Sequence, residues 1–575
     1  MKTLLKYLRN YRKECVLAPL FKLLEAVFEL LVPLIVAAMI DKGIGGRNPG
    51  AVWRYGLILL ALAAVGLVSA VTAQLFAARA ATGFAARLKS ALIRHIYALS
   101  FKQTDEAGVP TLITRMTGDV NQVQTGVNLT LRLLLRSPFI VLGALIMALI
   151  VDRGAGLVFA AVIPALSLCV ALVMRRTLPG YKAVARASDG TLETVRENLT
   201  GVRVIRAFSR EEDERARFQA KHAALTGLQL KTQAIASLLN PFTLILVDGA
   251  LAALIYVGAV KVNVGVLTQG QVVALTNYMA QILVELIKLA NLLVTLSRSL
   301  ASASRLESVL LTKPDEVSGG EAPDWAARPL IRFENASLAY QAAGRDALGG
   351  VTLTLNPGET LGVIGGTGSG KSTFAALIPG FYPATGGRVL VGGRDVRELD
   401  KKALRERIAV VPQQPRLFSG TIRDNLLMGD RSATDEALYA ALETAQAADF
   451  VRARMEGLDA LVEQDGRNFS GGQRQRLTIA RAIVRRSDIL ILDDSASALD
   501  AKTDAALQKA LKAALKNTAL VVISQRASSV MGLDRILVLD EGRVAGLATH
   551  EELMKTCPVY QETYEAQFPK EAAQA

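Results

Sequence analysis

The sequence predicts a multidomain chain, an all-α membrane half of six helices followed by an α/β half. Three observations carry that prediction. First, mean hydropathy is +0.31 and 51% of the 575 residues are hydrophobic, yet 21% are charged. This is too apolar for a protein wholly in water and too charged for one wholly in lipid. Second, six segments, near 16–40, 55–78, 133–151, 155–174, 241–260 and 272–296, are long and apolar. Each suffices to cross about 30 Å of hydrocarbon, which takes roughly 20 helical residues. Third, after Leu330 short apolar strands alternate with helical runs, the pattern of a largely parallel sheet.

The predicted boundaries are a membrane domain over 1–312, a linker rich in Pro, Gly and acidic residues over 313–329, and an α/β domain over 330–575. The leader MKTLLKYLRNYRK lacks a small-residue cleavage site. It reads as an amphipathic basic helix on the inner leaflet, with a solvated basic leader as the alternative. Short loops join the spans in pairs at 41–54, 152–154 and 261–271, whereas 79–132 and 175–240 are long and read as helical. Arg175, Arg176, Lys182, Arg186, Arg196, Arg203, Arg206 and Arg210 crowd the second long connection. Lys and Arg mark the cytoplasmic side, which places the long connections, the N-terminus and the α/β half in the cytoplasm. The net charge of +14 then needs no nucleic-acid partner, because anionic lipid faces those loops.

Three cysteines and three histidines exclude a disulfide framework and a zinc site. Within the spans, Glu25, Glu29, Asp248, Asn277, Glu285, Lys288 and Asn291 are candidates for a polar interior, since intramembrane ionisable groups are costly. Lys22/Glu25 and Glu285/Lys288 sit at i,i+3, where they could equally neutralise each other. An excess of acids would suit cationic amphipathic molecules, and lipids and peptides fit as well.

In the α/β half, the strand TLGVI runs into Gly365, Gly366, Thr367, Gly368, Ser369, Gly370, Lys371, Ser372 and Thr373. This is a P-loop in the required strand–loop–helix context. Glycines let backbone N–H groups turn toward phosphate oxygens, Lys371 reaches the outer phosphates, and Ser372 offers a hydroxyl to Mg²⁺. Asp493, at the end of the strand ILILD, completes the Mg²⁺ shell.

The segment NFSGGQRQR, containing Ser470, Gly471, Gly472 and Gln473, resembles the signature motif of the ABC transporter ATPase domain. Its neighbours match in order: Gln413 in VPQ resembles the Q-loop, and Ser497-Ala498-Leu499-Asp500 the D-loop. With six spans ahead of the ATPase domain, the chain is similar to a half-transporter of the exporter type. That resemblance implies ATP and Mg²⁺ as ligands, with Ser372, Gln413 and Asp493 on the metal and Tyr340 stacking on adenine. It implies a dimer, in which Ser470, Gly471, Gly472 and Gln473 meet ATP held by the partner's P-loop. It also implies coupling helices near 108–117 and 199–208, with Gln413 passing the state of the site to them.

Two positions depart from the family pattern. The Glu that follows the Mg²⁺ carboxylate and polarises the attacking water is Asp494 here, one methylene shorter. The switch His is Gln525, which can hydrogen-bond phosphate but carries no proton. Together they resemble the slow subunit of a heterodimeric multidrug exporter in the cell membrane. The implied partner has Glu and His at these positions and an altered signature, while this chain's signature, intact apart from Phe469, would complete the partner's site. The implied cargo is a small amphipathic or lipophilic molecule. A homodimeric lipid or peptide exporter and an ATP-gated regulatory membrane protein are the competing readings.

Overall fold

The computed structural model describes residues 2–316, 320–340 and 346–568. Part of the expected linker therefore lies outside the described residues. The chain separates into two compact units, one of residues 1–96 and 108–313, the other of residues 97–107 and 314–575.

The first unit is helical, and six of its helical stretches are long and apolar enough to cross a membrane: Thr3–Gly45, Pro49–Ala98, Val109–Val151, Arg153–Thr200, Glu211–Asn263 and Gln269–Leu311. The predicted spans are segments of much longer rods. Helix Pro49–Ala98 has 50 residues, about 75 Å at 1.5 Å per residue, which is more than twice the hydrocarbon thickness. The long connections are therefore continuations of the spans. One face of this helix buries Ala73, Ala77, Ala80, Ala81 and Phe84, while Leu57, Leu60 and Leu67 are exposed. Small residues on the packed side let neighbouring helices approach, and branched apolar ones suit lipid.

Side chains close the helix ends. Asp152 caps helix Arg153–Thr200 by accepting from Ala155 N at 2.7 Å, and Lys261 Nζ lies 2.5 Å from the same carboxylate. Thr268 and Gln271 form a reciprocal capping box at the start of the last membrane helix. Beside it, Asp41 accepts from Gly270 N at 2.9 Å. A Cβ at position 270 would stand 2.3 Å from the Ala37 carbonyl, so only glycine admits this approach of the first and last membrane helices.

Among the described residues the second unit contains twelve strands: β1 Ile331–Ala339, β2 Asp346–Leu355, β3 Thr360–Gly365, β4 Gly386–Val391, β5 Arg394–Asp395, β6 Ile408–Val411, β7 Gly420–Thr421, β8 Leu461–Val462, β9 Ile489–Asp493, β10 Ala519–Ile523, β11 Arg535–Asp540 and β12 Arg543–Ala548. Ten form one sheet in the order β5-β4-β1-β2-β12-β11-β3-β10-β9-β6. The run β11-β3-β10-β9-β6 is parallel, as the alternation of strands and helices predicts. The flank β5-β4-β1-β2 is antiparallel, which that alternation does not predict. β1 and β2 are consecutive in the chain and pair antiparallel.

Residues 97–107 also belong to this unit. The short helix Phe101–Ala107 sets Phe101 against Phe381, with ring centroids 4.2 Å apart, and the Arg405 guanidinium over both rings. Asp105, on the same face one turn later, accepts from the Tyr382 hydroxyl. The segment that belongs to the second unit thus lies just ahead of the expected 108–117. Gly108, at φ 75°, starts a separate helix, Val109–Thr114, that stays in the first unit.

Candidate functional site

The parallel strands end in register. Ile523 of β10 pairs with Asp493 of β9 and with Val363 of β3. Three loops, after β3, β9 and β10, therefore converge at the carboxyl edge, where open α/β sheets bind ligands. They enclose a cavity of about 200 Å³ lined by Thr367, Gly368, Gly370, Lys371, Ser372, Thr373, Gln413, Asp493, Asp494 and Gln525. Ten residues named from the sequence thus meet in one place, and Ala347 of β2 joins them. No sequence motif marks Ala347.

The P-loop is held by close backbone approaches. A Cβ at Gly370, where φ is +96°, would stand 2.6 Å from the Ala347 carbonyl. Lys371 is buried and donates to the carbonyls of Gly365 at 2.8 Å and Gly366 at 2.6 Å. Burial holds its pKa below the ordinary lysine value, against the pull of Asp494 and Asp493. Ser369 Oγ is buried with no hydrogen-bond partner among the described residues. Lys371, which lines the cavity and is folded onto its own loop, fits a cradle for phosphate oxygens, which would take over its ammonium hydrogen bonds.

Ser372 Oγ lies 3.3 Å from Asp493 Oδ1, and the Gln413 amide donates to Asp494 Oδ2 at 3.3 Å. One hydroxyl, one carboxylate and one amide on the same cavity fit Mg²⁺, a hard cation that keeps several waters and takes few protein oxygens. Burial pushes the pKa values of Asp493 and Asp494 up, with Lys371 and a hydrogen bond to each carboxylate opposing it. Asp494 stands at φ 45°, a left-handed conformation that Asp tolerates, and its N–H donates to Ile523 O at 2.9 Å. Its carboxylate is thereby aimed at Gln413.

Gln525 lines the cavity, and its backbone carbonyl accepts from Gln567 Nε2 at 2.8 Å, while Gln567 Oε1 accepts from Ala527 N. The next residue, Arg526, donates to the carbonyls of Leu499 and Ser497. This link from the strand-end loop to Ser497-Ala498-Leu499-Asp500 went unread in the sequence. A guanidinium beside a loop of small residues was its one signal.

Tyr340 stands outside the cavity lining. Its hydroxyl is 3.3 Å from Thr373 Oγ1, and its ring meets Tyr382 edge-on at 5.1 Å. Gly365, Gly366 and Ser369 shape the loop without lining the cavity. Ser470, Gly471, Gly472 and Gln473 also stand outside it. Ser470 caps helix Gly471–Val484, and Gln473 returns a bond to Ser470 N at 3.0 Å, which leaves a helix N-terminus suited to an anion from elsewhere. Phe469 is buried against Phe450 under the Arg454 guanidinium.

The membrane unit holds a second buried charge cluster. Arg136 donates to Glu285 Oε1 at 2.6 Å and to Glu29 Oε2 at 2.5 Å, and lies 3.9 Å from Glu25. Lys22 pairs with Glu25, Lys288 with Glu285, and Ser137 donates to Glu285 Oε2 at 2.8 Å. Arg136 lies inside the third predicted span but was not among the sequence candidates. It removes the excess of acid inferred without it, because Lys22, Arg136 and Lys288 balance Glu25, Glu29 and Glu285. Glu29, Asn277, Glu285 and Lys288 line one cavity, while Asp248 and Asn291 are exposed elsewhere on the bundle.

Comparison with known proteins accounts for both units. Residues 15–286 match the ABC transporter transmembrane region, and residues 348–497 the ABC transporter ATPase model. An uncharacterized ABC transporter ATP-binding protein of Mycobacterium tuberculosis is 34% identical over 97% of this chain and 96% of its own length. An ATP-dependent lipid A-core flippase of Chromobacterium violaceum is 30% identical over 99% of this chain and 97% of its own. A solved bacterial Atm1-family ABC exporter with ATP bound shares the fold, with a TM-score of 0.81 at 24% identity, over 97% of this chain and 98% of the solved one. With a multi-pass membrane region and an ATPase region in one polypeptide, this chain belongs to the ABC transporter family, as a half-transporter of the exporter type.

Proposed function

We propose that the chain is the slow-site subunit of a heterodimeric exporter in the cell membrane, moving a small amphipathic or lipophilic molecule at the expense of ATP. The observation that carries this reading is the pairing of Asp494 with Gln525 on the phosphate cavity. A general base must reach the attacking water, and a displacement of about 1 Å costs on the order of 10²-fold in rate. Asp494 is a methylene short of the family's Glu, and its carboxylate is engaged by Gln413. Gln525 donates a hydrogen bond but no positive charge.

In this reading Lys371 and the loop amides hold the phosphates, Ser372, Gln413 and Asp493 hold Mg²⁺, and Tyr340 stacks on the base. Mg²⁺ held by these residues would supply charge neutralisation to the phosphates. Ser470, Gly471 and Gly472 complete the partner's site from a capped helix N-terminus. The ATPase domain and the N-terminus lie on the cytoplasmic side, where the basic rods 175–210 end.

A homodimer that moves lipid is favoured by one observation, the 30% full-length identity to proteins named lipid A-core flippases. Hydrolysis by the purified chain alone separates the two. We expect little turnover without the partner. Tens of turnovers per second, abolished by Asp494→Asn, would establish the homodimer instead. ATP-dependent uptake into inverted vesicles separates either exporter from an ATP-gated regulatory protein, which binds nucleotide and moves nothing.

A further inference from the structure

The cavity of the membrane unit has a distinct chemistry. It measures about 420 Å³ and is walled by the first membrane helix, through Glu29, Val32 and Val36, and by the last, through Gln281, Val284 and Lys288. That volume lies in the range of small-molecule sites. Its two charged side chains facing open space are of opposite sign and come from different helices. Each is held from behind by a buried counter-ion, Glu29 by Arg136 and Lys288 by Glu285. Arg136 and Glu285 are almost fully buried, with 7% and 3% of their side chains exposed, whereas Glu29 and Lys288 are 39% and 42% exposed. The inner pair compensates the outer pair across two ion pairs, Arg136 with Glu29 and Glu285 with Lys288.

One further group is unsatisfied. Gln281 Oε1 is buried with no hydrogen-bond partner among the described residues, and Gln281 lines the cavity. An orphaned acceptor on a residue lining the same cavity as a carboxylate calls for an N–H donor. Arg136 uses Glu29 Oε2, and among the described residues nothing hydrogen-bonds Glu29 Oε1. Val32, Val36 and Val284 leave the rest of the wall apolar.

We propose that this cavity binds a zwitterionic amphiphile, with a protonated amine bearing N–H groups on Glu29 and Gln281, an anionic group such as phosphate on Lys288, and an apolar chain against the valines. The proposal names the cargo class for the exporter reading and rests on it for transport, but the binding itself does not. A cation alone would bring a second positive charge into the cavity beside Lys288, and an anion alone would meet the Glu29 carboxylate and leave Gln281 Oε1 without a donor.

The test uses the full-length chain in maltoside micelles without nucleotide, with radiolabelled single-chain lipids of one tail length. Lysophosphatidylethanolamine is the zwitterion with N–H groups. Its comparators are lysophosphatidylcholine, lysophosphatidic acid and the matching alkylammonium. We expect saturable binding of the first, about tenfold tighter than any comparator, because charged hydrogen bonds contribute on that scale. Lys288→Met should weaken it about tenfold and leave the alkylammonium unchanged, and Glu29→Gln should weaken it while sparing lysophosphatidic acid. Val36→Trp, which fills the cavity and alters no charge, should abolish it. Equal affinity for any comparator, binding that survives Val36→Trp, or no saturable binding overturns the proposal. The ranking on the unmodified chain and Val36→Trp decide the matter even where a charge variant does not fold. Uptake into inverted vesicles is scored separately. Selective binding without uptake defeats the exporter reading and keeps the site, and uptake of other cargo without this binding defeats the site alone.

Discussion

The two buried charge clusters of this protein are built in opposite ways. In the nucleotide cavity, Lys371 and Ser372 are neighbours in one loop and Asp493 and Asp494 are neighbours at one strand end. In the membrane unit, Arg136 reaches Glu29 and Glu285 across sequence separations of 107 and 149 residues. The first cluster is carried by local backbone shape, glycine turns and a strand register. The second exists only because three helices pack together. Substitutions should therefore reduce chemistry in the first and stability in the second.

The largest expected effect breaks the membrane cluster. Arg136→Met leaves Glu285 buried with Lys288 as its cation and the Ser137 hydroxyl as its other partner, and removing one partner of a buried ion pair costs about 3–5 kcal/mol. Thermal unfolding in detergent should show it, and Arg136→Met combined with Glu285→Gln should recover part of the loss. Full stability of the single variant would mean that the cluster is not what joins these helices.

Next is the nucleotide cavity, where the change should appear in rate with little cost in stability. Asp494→Glu with Gln525→His restores both family residues, and hydrolysis by the chain should rise on the order of 10²-fold. An unchanged rate would place the limit outside these two side chains. A smaller effect sharpens the contrast within the ATPase unit. Ser470→Ala removes the cap of helix Gly471–Val484, which costs about 1 kcal/mol of domain stability in unfolding curves. In the proposed heterodimer it should also slow hydrolysis at the partner's site more than at the chain's own.

The smallest concerns the short loop side of the bundle. Lys261→Met removes a partly exposed partner of Asp152, and because Asp152 keeps its bond to Ala155 N, melting should shift by the equivalent of about 0–1 kcal/mol. A loss as large as that of Arg136→Met would erase the distinction between buried and exposed pairs.

Much of the nucleotide site was legible because its parts are short motifs on predictable elements. Lys371, Asp493 and Gln413 each sit within a few residues of a recognisable strand, and the strands end together because parallel register aligns them. Arg526 and Gln567 were not legible. Their partners are backbone carbonyls and N–H groups, which carry no residue signature. Arg136 was legible only as an oddity, an arginine inside an apolar run, because its partners lie on other helices. The ATPase-side segment was placed several residues late. Composition showed a helical connection, but the pairing of Phe101 with Phe381 depends on a surface formed by distant strands and turns.

The sequence by itself determined that the chain has a membrane half and an ATPase half, how many helices are apolar enough to cross, and which residues form the P-loop and its neighbours, with the two departures Asp494 and Gln525 among them. Hydropathy, periodicity and glycine-rich turns are local properties, readable one window at a time. Only the tertiary structure decided that the intramembrane charges balance, which of them face open space and which are buried behind, and that Asp494 is tied to Gln413. Those facts depend on which surfaces meet, and helices Arg12–Ala38, Arg136–Val151 and Gln269–Leu311 bring their charges together by packing alone.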